Sequence, residues 1–145
     1  MFWELYKLRD RLIDQAIAER TKSPSLLRKL SYSKYPEVRY EVGGNDATPN
    51  SVRWEMLGDK EWTVLYALAG VTRSNDMLEI LLKNPEIRVA GRAARSEHLS
   101  DTRLCIMVGD EDETYSERIS KESYDPILVL DARLNPKFHR EDMRA

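Results

Sequence analysis

The sequence predicts an all-α fold, an α-solenoid of about five two-helix repeats of 25–26 residues. Three observations carry this expectation. An apolar or aromatic anchor recurs at Ile13, Val38, Val64, Val89 and Tyr115, with spacings of 25, 26, 25 and 26. Columns at fixed offsets from these anchors keep one chemical character. Helix-start residues recur at two further offsets. Self-similarity at such a period is the mark of stacked supersecondary units, each too small to bury its apolar face alone.

Eight residues before the anchors stand Leu5, Leu30, Met56, Leu81 and Met107, all apolar. This column belongs to the first helix of each repeat. Five before the anchors come Ser33, Asp59, Asn84 and Asp110, types that cap a helix N-terminus and so open the second helix. Asn135, followed by Pro136, continues this column and matches Asn84-Pro85. The anchor and the apolar residue four later (Ile17, Val42, Leu68, Ala93, Ile119) share one face of that second helix. One residue further on, Ala18, Gly43, Ala69, Ala94 and Ser120 are small, which lets neighbouring helix backbones approach closely. Ten after the anchors, Ser23, Thr48, Ser74 and Asp125 are cap types, and Leu99 is followed by Ser100 and Asp101. Pro24, Pro49 and Pro126 follow three of these caps, at the first helical position where proline is best tolerated. An alternative register anchors on Ile87, but Gly91 then falls in the apolar column; Val89 places Ala93 and Ala94 in both columns. No period-2 run competes with the helical reading.

At 145 residues, 41% hydrophobic and 33% charged, the chain suits one folded domain over 1–145, with an N-terminal cap at 1–22 and a C-terminal cap at 125–145. Cys105 is the single cysteine, so no intrachain disulfide can form. The N-terminal stretch is interrupted by Glu4, Lys7, Arg9 and Asp10 and offers no secretory core, and no run reaches the roughly 18 apolar residues of a membrane span. These features lead to the expectation of a cytoplasmic protein without membrane contact. The net charge of −2 argues against non-specific nucleic-acid binding unless a local basic patch exists.

The cap-proline, Leu-x-x-Leu, acidic or Asn residue, Val-Arg and small-residue order resembles the leucine-rich repeat variant family, related in shape to HEAT and armadillo repeats. The closest unit runs through Ser25-Leu26-Leu27-Arg28-Lys29-Leu30 and Tyr35-Pro36-Glu37-Val38-Arg39 to Val42-Gly43-Gly44-Asn45, and the resemblance spans about 5–136. It implies short alternating helices stacked in a right-handed superhelix, and it implies little about function. Leu65 and Ser116 depart from the pattern where Arg would follow the anchor. The iron–sulfur cluster of the family's founding member has no counterpart here, since Cys105 is the only thiol.

No catalytic, cofactor or metal site is expected. His98 lies between repeats and His139 near the C-terminus, neither beside a Ser or Cys motif. Cys105 is expected to be buried in an apolar first helix. The run Asp110–Glu113 lacks the spacing and glycine of a calcium loop and reads as a helix-start cluster. Gly43-Gly44 reads as a small-residue position and helix end, with no phosphate-loop motif around it. Trp3 is expected in the N-terminal cap, and Trp54 and Trp62 in the core. The competing reading of Trp54 and Trp62, with Tyr32, Tyr35, Tyr40 and Tyr66, is a shared exposed aromatic patch.

The offsets three and six past the anchors run from acidic or neutral (Glu19, Glu41, Gly44, Ala67, Gly70) to basic (Arg92, Arg95, Arg118, Lys121), with Arg88 completing a ladder. Such a ladder can meet phosphates or an acidic protein surface, or serve only as a solvated face. The expected function is a non-enzymatic protein-interaction module of adaptor or inhibitor type working through its second helices. Arg39, Tyr40, Tyr66, Arg88, Arg92, Arg95, Arg118 and Lys121 are its contacts, and its partner is another protein, in one form with an acidic surface. The alternative is binding of a DNA or RNA backbone by the Arg ladder.

Overall fold

Side chains that cap and staple helix ends punctuate this chain at regular intervals. The computed structural model describes residues 2–108 and 126–139, and among them the fold is all-helical, with no strand. The helices are α1 (Phe2–Arg20), α2 (Pro24–Leu30), α3 (Pro36–Gly44), α4 (Asn50–Met56), α5 (Trp62–Val71), α6 (Asn75–Leu82), α7 (Ile87–Ala94), α8 (Asp101–Val108) and α9 (Pro126–Arg133), followed by a 3-10 turn, Pro136–His139. The chain divides into two compact units, Met1–Val71 and Thr72–Ala145.

In the first unit α3 packs between α1 and α5, while α2 lies against α1 and α3, and α4 against α5. The core is the predicted face of the second helices: Val38 and Val42 of α3, and Val64 and Leu68 of α5, are fully buried. Gly43 sits where α3 meets α5, and a Cβ there would rest 3.5 Å from that of Ala67. In the second unit α7 packs against α6 and α9, and α8 against α9. Val89, Ala93 and Ala94 of α7 are fully buried with Met77 and Leu78 of α6 and Leu104 of α8.

Among the described residues, turns between helices are closed by small polar side chains that accept from the backbone N–H two residues on. After the second helices these are Thr21, Asn45, Thr72, Ser96 and Asn135, bonding Ser23, Ala47, Ser74, His98 and Lys137. After the first helices they are Ser33, Asp59 and Asn84, bonding Tyr35, Glu61 and Glu86. The latter three therefore form the turn before the second helix and are not its caps; Tyr35 and Glu86 hold that place in α3 and α7. Ser23 and Ser74 do cap α2 and α6 through the N–H of Leu26 and Met77, and Ser100 accepts from Arg103 at the start of α8. Thr48 departs from that column. It is buried, and its hydroxyl donates to the Val42 carbonyl at 2.6 Å, tying off the end of α3.

The first and last repeats differ from the sequence pattern. Residues 2–20 form one continuous helix where a pair was expected, because no breaker interrupts a run of good helix formers. Among the described residues no separate first helix covers its apolar side, so Leu5, Ile13 and Ile17 stay exposed while Ala18 is fully buried. Trp3, expected in a packed cap, is 71% exposed and stacks on Tyr6.

At the other end, α9 behaves as a second helix. Asn135 donates to the carbonyls of Ala94 and Ser96, as Asn45 does to those of Ala18 and Thr21. The proline, apolar, apolar and Asn positions of α3 (Pro36, Val38, Val42, Asn45) thus recur as Pro126, Leu128, Ala132 and Asn135, with Leu128 and Ala132 buried. Leu128, 39 residues after Val89, thus holds an anchor position of its own. A helix does begin at Pro126, as the proline column predicts, whereas Asn135-Pro136 follows α9 and opens the 3-10 turn in place of the second helix expected there. Tyr115, Ile119, Ser120, Asp125 and the Asp110–Glu113 run lie outside the described residues.

Two glycines on second helices predict opposite outcomes. Gly43→Ala adds only ordinary contacts with Ala67, Val64 and Leu68 and removes the flexibility of a helical glycine, so it raises stability by about 0.5 kcal/mol. At Gly91 the added Cβ would displace the Asp131 carboxylate, which must swing away and give up Arg95, so Gly91→Ala loses the propensity gain and lowers stability by at most about 0.5 kcal/mol. Urea unfolding of both variants reads the two signs.

Candidate interaction surface

The side chains predicted to form a working face start from the second helices, where the buried anchor fixes the direction of its neighbours. In the first unit, Tyr40 and Tyr66 each lie two residues past a buried anchor, on α3 and α5, which pack together. Tyr40 is 37% exposed. Tyr66 is half-buried, and its ring meets Trp62 edge to face at 6.0 Å. Beside them, Glu37 of α3 faces Arg11 of α1 at 3.8 Å, and Glu41 accepts from the Gln15 amide at 3.5 Å. This part of the unit is aromatic with an acidic margin.

Arg39 is not on that surface. Its guanidinium makes a two-pronged bond to the Asp59 carboxylate at 2.7 and 3.2 Å and donates to the Ser33 carbonyl at 2.8 Å. Its side chain is 17% exposed. The Asp59 hydrogen bond pushes its pKa above the ordinary guanidinium value, so it stays charged. Arg39 thus pins α3 to the turn that opens α5.

In the second unit Arg88, Arg92 and Arg95 do share a face of α7, but carboxylates offset the charge at two of them. Arg88 pairs with Glu86 at 2.8 Å, and its guanidinium holds the Glu86 carboxyl below the usual range. Arg95 reaches Asp131 of α9 at 3.5 Å. Ala67, expected to project outward, is buried against the core of its unit. Arg118 and Lys121 lie outside the described residues.

The first-helix side holds groups that the column reading missed. Tyr32 donates to Glu55 at 2.6 Å, and Arg28 of α2 reaches Ser51 at 3.0 Å and Glu55 of α4 at 3.5 Å. Hydrogen bonding to Glu55 raises the Tyr32 pKa. Trp54, expected in the core, is 40% exposed beside this group, because Val52, Arg53 and Met56 take the inward positions of α4. The signal lay in complementary residues 23 to 27 apart, close to one repeat. Arg103 of α8 and Glu79 of α6, bonded at 2.8 Å, repeat it in the second unit.

Cys105, expected to be buried, is exposed. Leu104, Met107 and Val108 form the inward stripe of α8, and Cys105 falls next to exposed Ile106 outside it. His98 is partly exposed beside Glu97, and the side chain of His139 lies outside the described residues. Among the described residues no group of three or more His, Cys, Asp or Glu is placed to hold a metal ion, and no helix is long and apolar enough to cross a membrane. Comparison with known protein families, with curated proteins and with solved structures returns no match.

Proposed function

We propose that this chain is a non-enzymatic protein-interaction module built as a right-handed HEAT-like α-solenoid of the leucine-rich repeat variant kind, acting in the cytoplasm. The observation that carries the interaction reading is the pair Tyr40 and Tyr66. They occupy one repeat position on two helices that pack together, with exposed or half-exposed rings and the carboxylates of Glu37 and Glu41 nearby. Aromatic rings with a polar tip supply large contact area at low entropic cost and are enriched at binding hot spots. The partner surface that suits them is apolar, in place of the acidic surface expected from the Arg ladder. The carboxylate partners of Arg88 and Arg95 weaken that ladder as a phosphate-binding stripe and favour a protein over a nucleic-acid backbone.

The test places a photo-crosslinking residue at Tyr40 or Tyr66 and, as control, at exposed Lys29 of α2 in the native host. One shared adduct from the two tyrosine positions, absent from position 29, is the expected result. Tyr40→Ala/Tyr66→Ala should reduce capture of that protein at least about tenfold, the loss of one hot-spot side chain. Unchanged capture would sink the proposed face. Salt-dependent oligonucleotide binding that is lost in Arg92→Ala/Arg95→Ala would move the reading to nucleic acid.

A further inference from the structure

Helix α1 turns its polar side inward. Arg11 and Gln15 reach Glu37 and Glu41 of α3, and Ala18 is fully buried. The opposite side carries Trp3, Leu5, Tyr6, Leu12, Ile13 and Ile17, each between 38% and 71% exposed. Their positions, 5/6, 12/13 and 16/17 around Arg9, alternate in steps of three and four. That is the spacing of a helix seam that packs along a second helix. At roughly 100 Å² for each large side chain, the strip offers about 600 Å², close to the ~800 Å² that each partner gives a standard interface.

We propose that two copies of this chain associate through α1, with the two helices antiparallel. The sequence of the seam selects the occupant and its direction. A parallel pairing sets Arg9 against Arg9, a like-charge contact in the middle of an apolar strip. An antiparallel pairing about the helix midpoint, residue 11, sets Leu5 against Ile17, Tyr6 against Ala16 and Arg9 against Ile13. Leu5 then meets an apolar side chain of its own size, the Tyr6 ring meets the small Ala16, and each Arg9 comes within a turn of Asp10 on the other copy. The interface is isologous and closes at two chains. It uses α1 and so stands apart from the Tyr40–Tyr66 face.

Sedimentation equilibrium of the full chain from about 1 to 100 µM, the range in which an interface of this size is populated, reads the outcome. A mass rising to twice the 16.9 kDa of one chain is expected. Leu12→Glu/Ile13→Glu should return the mass to that of one chain with the far-ultraviolet helical signal unchanged, since both side chains are exposed. A single-chain mass throughout, a dimer that persists in the variant, or growth beyond two chains (as stacking of α1 onto exposed Leu130 and Leu134 of α9 would give) overturns the proposal. Orientation is read in a Cys105→Ser background. Leu5→Cys mixed with Ile17→Cys should crosslink faster than either alone, and preferential self-crosslinking of Leu5→Cys would overturn the antiparallel order.

Discussion

Asn45→Ala is expected to lower the unfolding free energy of the first unit by about 2–4 kcal/mol, and Asn135→Ala that of the second by a similar amount. Each of these side chains is buried and uses every polar atom. Asn45 donates to the carbonyls of Ala18 and Thr21 at 2.8 and 2.9 Å and accepts from the Ala47 N–H at 2.8 Å. Asn135 makes the equivalent bonds to Ala94, Ser96 and Lys137 at 2.8, 2.7 and 3.0 Å. The accepting carbonyls stand at or just past the ends of α1 and α7, where no helical N–H follows to satisfy them. Truncation leaves them without that donor at a cost of about 1–3 kcal/mol for each orphaned group, less what entering water recovers. Asn45→Asp keeps the shape but cannot donate, so it should lose at least as much at neutral pH. Asn84→Ala is the control. It makes one turn bond, to Glu86, and its loss should stay near 0.5–1 kcal/mol. Urea unfolding followed by circular dichroism separates these cases, and equal losses at Asn45 and Asn84 would refute the account.

Asp59→Ala is expected to cost about 3 kcal/mol, although it removes a residue at a turn. The carboxylate is 10% exposed, holds both prongs of Arg39 and accepts from the Glu61 N–H at 2.9 Å. Without it the Arg39 guanidinium remains inside, still donating to the Ser33 carbonyl but with its carboxylate gone, so the cost is that of an uncompensated charge. The discriminating variant is Arg39→Met/Asp59→Ala. Removing both charges should recover at least about 1 kcal/mol relative to Asp59→Ala alone, a coupling that a double-mutant cycle measures. Additive losses would mean that Asp59 acts through its turn bond only.

The middle of the fold was legible because its pattern is local. Val38, Val64 and Val89, with Val42, Leu68 and Ala93 four residues later, are fully buried as the spacing predicts. Ser23 and Ser74 cap their helices for the same reason: the bond closes within three residues. The ends were not legible. In α1 two apolar stripes flank a polar one, and helical spacing cannot tell which meets the neighbouring helix. At the C-terminal end a 39-residue interval hides the recurrence of the α3 pattern in α9. The site was less legible still. Arg39 and Arg95 looked available in a column of basic residues, yet their carboxylate partners, Asp59 and Asp131, come from other segments 20 and 36 residues away. Tyr40 and Tyr66 are visible in the sequence as a pair because both stand at one offset from an anchor.

The Asn45 and Asn135 bonds also separate two quantities that repeat proteins usually keep in step. Each amide fastens the turn after one helix to the end of another, α3 to α1 and α9 to α7, so spacing in three dimensions is gauged by a clasp and not by contour length. Between Ala18 and Asn45 the chain runs 27 residues, and between Ala94 and Asn135 it runs 41, yet the fastening is the same. The seating of α9 on α7 is accordingly carried by the Asn135 amide together with buried Leu128 and Ala132.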